Sequence, residues 1–388
     1  MSDHLNKIAA RMSHIAPFEV MEIQTAARAL EAKGHDVIHM EIGEPDFATP
    51  PQIIAAATSA LQNQKMNYTS ALGIMPLREA IAQFYADRYG ATISPSRIIV
   101  TAGSSAALLL TMGVLINPGD GVQMADPGYP CNRHFVRAMG GVPDCIPASA
   151  AEAYQLTAKM VTANWQPHTR AALIATPSNP TGTIVTPAQI AQLHQAVSAK
   201  GGTLIVDEIY QGLTYGVKPT TALAIAGDMF VVNSFSKYFQ MTGWRLGWMV
   251  VPENLVREVE KLAQNLFISA STPAQYAALA AFKPETIALL ESRREAFKQR
   301  RDALIPALKR IGFQVPVTPE GAFYVYADCS KLSDDSFAFA RKILHQAHVA
   351  VTPGKDFGQA APEKHIRFAY TQTVERMLEA VERIEKIL

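Results

Sequence analysis

The stretch "VVNSFSKYFQMTGWRLGW", Val231 to Trp248, carries an apolar strand pattern into a lysine, Lys237, flanked by Ser234 and Ser236 and followed eight positions later by Arg245. Lysine is normally a solvated side chain, whereas "VVNSF" reads as a buried strand leaving the core. A lysine held half-buried at such a strand end has a depressed pKa, and its neutral amine can attack aldehydes and ketones. Alone, the same residue reads as a lysine snorkelling from a loop. Its surroundings decide between the two.

Working outward, short β-branched runs alternate with helical patterns from about residue 96 to 250. "SRIIVT" precedes "SSAALLLTMGVLI", "GVQMAD" precedes "YPCNRHFVRAM", "RAALIAT" precedes "TPAQIAQLHQAVSAKG", and "GTLIVDE" leads through a loop to "DMFVVNSF". Strands apolar on both faces and separated by helices predict an α/β fold: a mostly parallel, seven-stranded-type sheet covered by helices on both faces. Such a sheet presents ligands with the loops at the C-terminal ends of its strands.

The flanks differ. "PFEVMEIQTAARALEAKG" predicts an amphipathic helix stopped by Gly34. A long charged helix, "PETIALLESRREAFKQRRDALIPALKRIG", opens the C-terminal third, followed by strands around "GFQVPV" and "GAFYVYAD", a helix, "VAVTPG", the strand "KHIRFAY" and a terminal helix. The expected division is a large domain over 45–283 and a smaller α+β domain built from 1–44, an N-terminal arm and first part, together with 284–388. No repeat or low-complexity linker separates them.

The totals agree with a soluble metabolic protein. At 388 residues the chain exceeds one typical core, and its formal net charge of +1 signals no nucleic-acid-binding face. Cys131, Cys145 and Cys329 lack C-x-x-C spacing, which disfavours a disulfide framework or a thiolate metal site and suits a reducing, cytoplasmic compartment. No signal-like or membrane-spanning run is expected.

Four strand ends carry polar clusters. Asp207 ends "GTLIVDEIYQGLTY", where a carboxylate is desolvated unless it meets a cation, and Tyr210 lies three residues on. In "TAGSSAALLL", Gly103, Ser104 and Ser105 sit where a strand delivers the chain to a helix start, a natural anion site. "TPSNPTG" sets Asn179 before Pro180, a plain turn or a cis bond, and "DPGYP" places Tyr129 where its ring can stack on a flat ligand or fill core space. Each signal alone is weak. Together with Lys237 and Arg245 they specify a ligand with an aldehyde, a phosphate, an aromatic ring and a ring nitrogen: pyridoxal 5′-phosphate.

"TPSNPTG", "VDEIY", "NSFSK" and "GWRLGW", in this order, resemble class I/II aminotransferases of the fold type I pyridoxal-phosphate superfamily, and the likeness runs from "IGEPDF" to "IRFAY". The resemblance implies that Lys237 forms the Schiff base and that Asp207 partners the pyridine nitrogen. It implies that Asn179 and Tyr210 bond the ring hydroxyl and Tyr129 stacks on the ring. Gly103, Ser104, Ser105, Ser234 and Arg245, with Ser236 less firmly, would hold the phosphate. Tyr68, in "NYTSALGIMPLREAIA", looks like the tyrosine that reaches the phosphate of a neighbouring subunit, which implies a homodimer with shared active sites. Arg367 looks like the arginine that pairs with the substrate α-carboxylate and Gly43 like the glycine whose backbone approaches it; an arginine fork fits a carboxylate bidentately.

The implied activity moves an amino group from an L-amino acid to a 2-oxo acid. Dicarboxylate-selective members carry an arginine where "TPAQYAALAAF" has Ala278, so aspartate is weakened as a donor though not excluded. Ile15 and Ala16 of "SHIAPF" are expected to line the side-chain pocket, which suits a neutral or aromatic donor with 2-oxoglutarate or pyruvate as acceptor. A C–S β-lyase is the alternative reaction on this scaffold. The unbroken set Asn179, Asp207, Tyr210, Lys237, Arg245 and Arg367 argues against a decayed site.

Overall fold

The computed structural model describes residues 8–63 and 66–388; the first seven residues of the expected N-terminal arm lie outside this range. Twelve strands are found among the described residues: β1 (Ile38–His39), β2 (Ile98–Thr101), β3 (Gly121–Asp126), β4 (Val142–Pro147), β5 (Thr169–Ala175), β6 (Thr203–Asp207), β7 (Phe230–Ser234), β8 (Gly247–Val250), β9 (Tyr324–Asp328), β10 (Val349–Ala350), β11 (Thr352–Pro353) and β12 (His365–Ala369). Seven of them form one sheet in the order β2-β8-β7-β6-β5-β3-β4. β8 runs antiparallel to both its neighbours, β2 and β7, so β2 points the same way as β7, β6, β5, β3 and β4. The mostly parallel sheet is as expected, with β8 as its one reversed member.

Burial on both faces explains the near-continuous apolar strands. Ile205, Phe230 and Val232 pack towards helices Gly103–Leu115 and Val256–Leu266. Leu204, Val206 and Val231 pack towards helix Pro187–Ser198 on the other side. That last helix starts in a capping box, Thr186 with Gln189, and has Pro187 at its first position.

The ends of the chain meet. β1 pairs in parallel with β10, Ile38 opposite Val349, and β11-β12-β9 form an antiparallel sheet. Of the two strands expected around "GFQVPV" and "GAFYVYAD", the second is β9, while the first makes only a single bridge from Gln314 to Asp328. The helix over "PFEVMEIQTAARALEAKG" spans Glu19–Glu31, with Gly34 beyond it at φ +89°. The terminal helix, Val374–Glu385, buries Met377, Ala380, Val381 and Ile384, the spacing of one helical face. One apolar cluster joins Ile98 and Trp248 of the large sheet to Phe323 and Phe368 of the C-terminal third. Among the described residues no helix is long and apolar enough to cross a membrane.

Candidate active site

Because β2, β3, β5, β6 and β7 point the same way, the loops after them crowd one edge of the sheet. A cavity of about 390 Å³ opens there, within the range of small-molecule sites. Its wall includes Ser104 and Ser105 after β2, Tyr129 after β3, Asn179 after β5, Asp207 and Tyr210 at and after β6, and Ser236 and Lys237 after β7. Gly43, Arg245 and Arg367 also line it.

Lys237 lies three residues past the end of β7 and is partly buried. Its Nζ donates to the Gly43 carbonyl at 2.5 Å and lies 5.9 Å from the ring centres of both Tyr210 and Phe323. Desolvation, opposed by the nearby Glu44 carboxylate, lowers its pKa from 10.5 to about 8. About a tenth of the amine is therefore neutral at pH 7, far more than for a solvated lysine, and the neutral form is the nucleophile.

Asp207 is 3% exposed. Burial raises its pKa from 3.8 to about 6, against the Ile209 N–H, which donates to Oδ1 at 3.0 Å, and against the charge of Lys237. The buried acid faces the cavity and, among the described residues, makes no salt bridge within 4 Å. Such a group is poised for a cation supplied by a ligand. Tyr210, whose phenol is pushed well above its ordinary pKa by burial, shares a 2.8 Å hydrogen bond with Tyr324.

The opposite wall is built for an anion. Helix Gly103–Leu115 begins immediately after β2, and its N-cap residue Ala102 supplies no capping side chain, so its first N–H groups remain available at the positive end of the dipole. A side chain at Gly103, which has φ +78°, would place Cβ 2.6 Å from Arg245 Nη2. The glycine thus lets the guanidinium close on the helix start. Arg245 itself sits at φ +53° and donates from Nη1 to the Thr242 carbonyl at 3.1 Å. Ser236 lines the cavity, whereas Ser234 stands behind it: Ser234 Oγ donates to Ser236 Oγ at 2.9 Å and accepts from the Ser236 N–H at 3.0 Å.

Arg367 on β12 is 5% exposed and donates to Asn179 Oδ1 at 2.9 Å, the Glu41 carbonyl at 2.5 Å and Thr352 Oγ1 at 3.2 Å. Its guanidinium is sandwiched between Tyr324 and Phe357, 4.4 and 4.9 Å from their ring centres. Its Nε is buried without a hydrogen-bond partner among the described residues. Oriented so by neutral groups, the fork keeps its charge free for a carboxylate. A Cβ on Gly43 would lie 2.7 Å from the Tyr324 hydroxyl, so this position accepts only glycine without a shift. The Asn179–Pro180 bond is cis.

Five sequence-derived positions fall outside the wall: Gly103 and Ser234, placed above, and Tyr68, Ile15 and Ala16. Tyr68 is 80% exposed, away from this chain's own cavity. Ile15 and Ala16 are not among the lining residues; the N-terminal stretch reaches the cavity a little later, at Phe18, Val20, Met21 and Gln24. Sequence reasoning also missed Tyr324, which touches Tyr210, Gly43 and Arg367 at once. Its only signal was an aromatic-rich strand, "GAFYVYAD".

A phosphate cradle, a neutralisable lysine, a tyrosine in the wall and a buried, cavity-facing acid fit pyridoxal 5′-phosphate. Arg245, Ser104, Ser105 and Ser236 would hold its phosphate, Asp207 its ring nitrogen and Lys237 its aldehyde carbon. When bound, this cofactor supplies an electron sink for the bonds at an amino acid's Cα.

Fold and site together define a pyridoxal-phosphate-dependent enzyme that acts on amino acids. Residues 35–384 match the family model for aminotransferase class I and II, and the chain belongs to that family. It is 38% identical over 381 residues to the valine–pyruvate aminotransferase of Mycobacterium tuberculosis, covering 98% of each chain. It is 37% identical to the (5-formylfuran-3-yl)methyl phosphate transaminase of Methanocaldococcus jannaschii, over 98% of this chain and 99% of that one. A crystal structure of an aminotransferase from Mycobacterium tuberculosis superposes with a TM-score of 0.95 at 38% identity, covering 98% of this chain and 99% of that one. The protein is a pyridoxal-phosphate-dependent aminotransferase of fold type I.

Proposed function

We propose that the amino donor is an L-amino acid with an uncharged side chain, aliphatic or aromatic, and that the acceptor is a 2-oxo acid such as pyruvate or 2-oxoglutarate. The observation that carries this reading is the charge inventory of the cavity. Its lining cations are Lys237, Arg245 and Arg367, and each has a task that leaves none for a second substrate carboxylate. The wall facing them is formed by Phe18, Val20, Met21 and the uncharged amide of Gln24. Ala278, where dicarboxylate-selective members carry arginine, is fully buried in helix Thr272–Ala278. Two relatives of nearly equal identity bear quite different substrate names, so overall similarity does not choose the donor.

In this reading Arg367 and the backbone of Gly43 bind the α-carboxylate, which fixes the Cα–H bond relative to Lys237. The neutral Nζ of Lys237 takes the Cα proton and returns it later in the cycle. Phe18, Val20 and Met21 give the side chain an apolar surface to lie against.

The reading includes a homodimer. Tyr68, Met66, Met75, Leu266 and Ile268 all expose large apolar surface. The segment around Tyr68 is tied to helix Thr272–Ala278, which follows Ile268, by bonds from Thr272 Oγ1 to the Asn67 carbonyl, 2.8 Å, and from Gln275 Nε2 to Thr69 Oγ1, 3.0 Å. Ile268 adopts φ +65°, an uncommon conformation for a β-branched residue. A second subunit would cover this face and receive Tyr68 in its phosphate cradle.

The test is a donor screen without acceptor, following 2-oxo acid release and the change in cofactor absorbance for valine, phenylalanine and aspartate. Neutral donors should exceed aspartate by at least about tenfold in rate at subsaturating concentration. An aspartate rate equal to or above theirs overturns the donor assignment.

A further inference from the structure

The helix that roofs the cavity lacks a cap of its own. Helix Glu19–Glu31 starts beyond Phe18, whose side chain makes no capping bond, so its first N–H groups need an acceptor from elsewhere. That acceptor lies more than 330 positions away. Asp356 Oδ1 accepts from the Glu19 N–H at 2.7 Å, and Asp356 Oδ2 accepts from the Val20 N–H at 2.8 Å. Both oxygens are thus used on the same helix end, where a negative charge also meets the positive end of the dipole.

The segment bearing Asp356 is itself pinned to the large sheet. Arg133, four residues beyond Tyr129, donates to the Asp356 carbonyl at 2.6 Å. The Gly128 N–H donates to the Phe357 carbonyl at 2.8 Å, and the Gln359 N–H donates to Asp126 at the end of β3, also at 2.8 Å. Phe357, next to Asp356, forms one side of the sandwich around Arg367. A continuous run of bonds therefore joins the end of β3, through residues 356–359, to the start of the roof and to the carboxylate-binding arginine.

We infer that Asp356 is a positioning residue for the amino-acid substrate: it fixes Phe18, Val20 and Met21 over the cavity and sets the roof in register with Arg367. Asp356 lies at the cavity wall, but both its oxygens are committed to backbone N–H groups, so it acts through the helix rather than on the substrate. Burial raises its carboxyl pKa, while the two N–H donors hold the charged form in place. The inference rests on the aminotransferase reaction but not on which donor is preferred.

The test compares the cofactor-loaded wild type with Asp356→Ala and Asp356→Asn. Hydrogen exchange of the amides at Glu19–Gln24, measured without substrate, should quicken about tenfold in the alanine variant. It should quicken less in the asparagine variant, which keeps one acceptor oxygen. With whichever donor proves best, KM should rise about tenfold in Asp356→Ala while kcat changes less than threefold. The affinity for pyridoxal phosphate, titrated by absorbance, should stay within about threefold of wild type, because no cofactor-cradle residue is touched. Unchanged protection at Glu19–Gln24 overturns the inference, as does an unchanged KM. A fall in cofactor affinity as large as the rise in KM, in the isosteric asparagine variant too, assigns Asp356 a general structural role and overturns it equally. The exchange measurement uses no donor, so it fails or succeeds independently of the donor assignment.

Discussion

Replacing Asp207 by asparagine should make the cofactor-free protein more stable while destroying its activity. The folded carboxyl titrates near 6 instead of 3.8, chiefly through burial. Between those values the folded state holds a proton that the unfolded chain has released, so stability falls as pH rises through this window. A shift of about two units, at 1.36 kcal/mol each, makes the ionised carboxylate cost about 3 kcal/mol once the pH is well above 6. Its attraction to Lys237 is already included in that shift. Asparagine keeps an oxygen for the Ile209 N–H and carries no charge, so it removes most of this cost. The assay is equilibrium urea unfolding of cofactor-stripped wild type and Asp207→Asn. The variant should be more stable by about 3 kcal/mol at pH 8 and by roughly half as much at pH 5. With pyridoxal phosphate added the order should reverse, because only the carboxylate pairs with a protonated ring nitrogen. A stripped variant no more stable than wild type at pH 8, or a gap that does not widen with pH, would refute the picture of a buried acid waiting for its cation.

Two further substitutions probe the remaining walls. Arg367→Lys keeps the charge but loses the fork, and should lower kcat/KM for the amino donor by about 10- to 100-fold, the worth of one charge-assisted bond, with cofactor absorbance unchanged; a change below threefold in steady-state assays counts against the carboxylate role. Gly103→Ala introduces a Cβ 2.6 Å from Arg245 Nη2 at a residue with φ +78°. Absorbance titration should show pyridoxal phosphate binding weakened by about tenfold, and undiminished affinity would remove Arg245 and the helix start from the phosphate site.

Much of this was legible because the chemistry of the cofactor site is local in sequence. Apart from Arg245, which lies just ahead of β8, its residues end a strand or sit in the loop that follows, and strand ends are visible as apolar runs terminated by glycine, proline or a charge. The parallel sheet then brings those ends together without further instruction. The substrate side was less legible. Tyr324 acquires its role by crossing to Tyr210, and Asp356 by crossing to Glu19, over separations that no periodicity encodes. The N-terminal pocket residues were placed a few positions early, at Ile15 and Ala16, because where a helix faces a cavity depends on the segment that caps it. The bridge at Gln314 falls short of a strand for a related reason: "GFQVPV" has the composition, but its proline, Pro316, and its place beside Asp328 allow a single pairing.

The pairing of β1 with β10 sets an order of assembly during synthesis. All seven strands of the large sheet, with Lys237, Asp207 and the phosphate cradle, have been synthesised by residue 250, but Ile38 must wait for Val349. At roughly 5–20 residues per second that interval of about 310 residues lasts some 15–60 s. The strands of the cofactor side are thus complete long before Asp356 exists to cap the roof helix, and premature termination in the last quarter of the message would remove Arg367 and strip Phe323 and Phe368 from the apolar cluster they share with Trp248, costing the large sheet part of its own core along with the substrate wall.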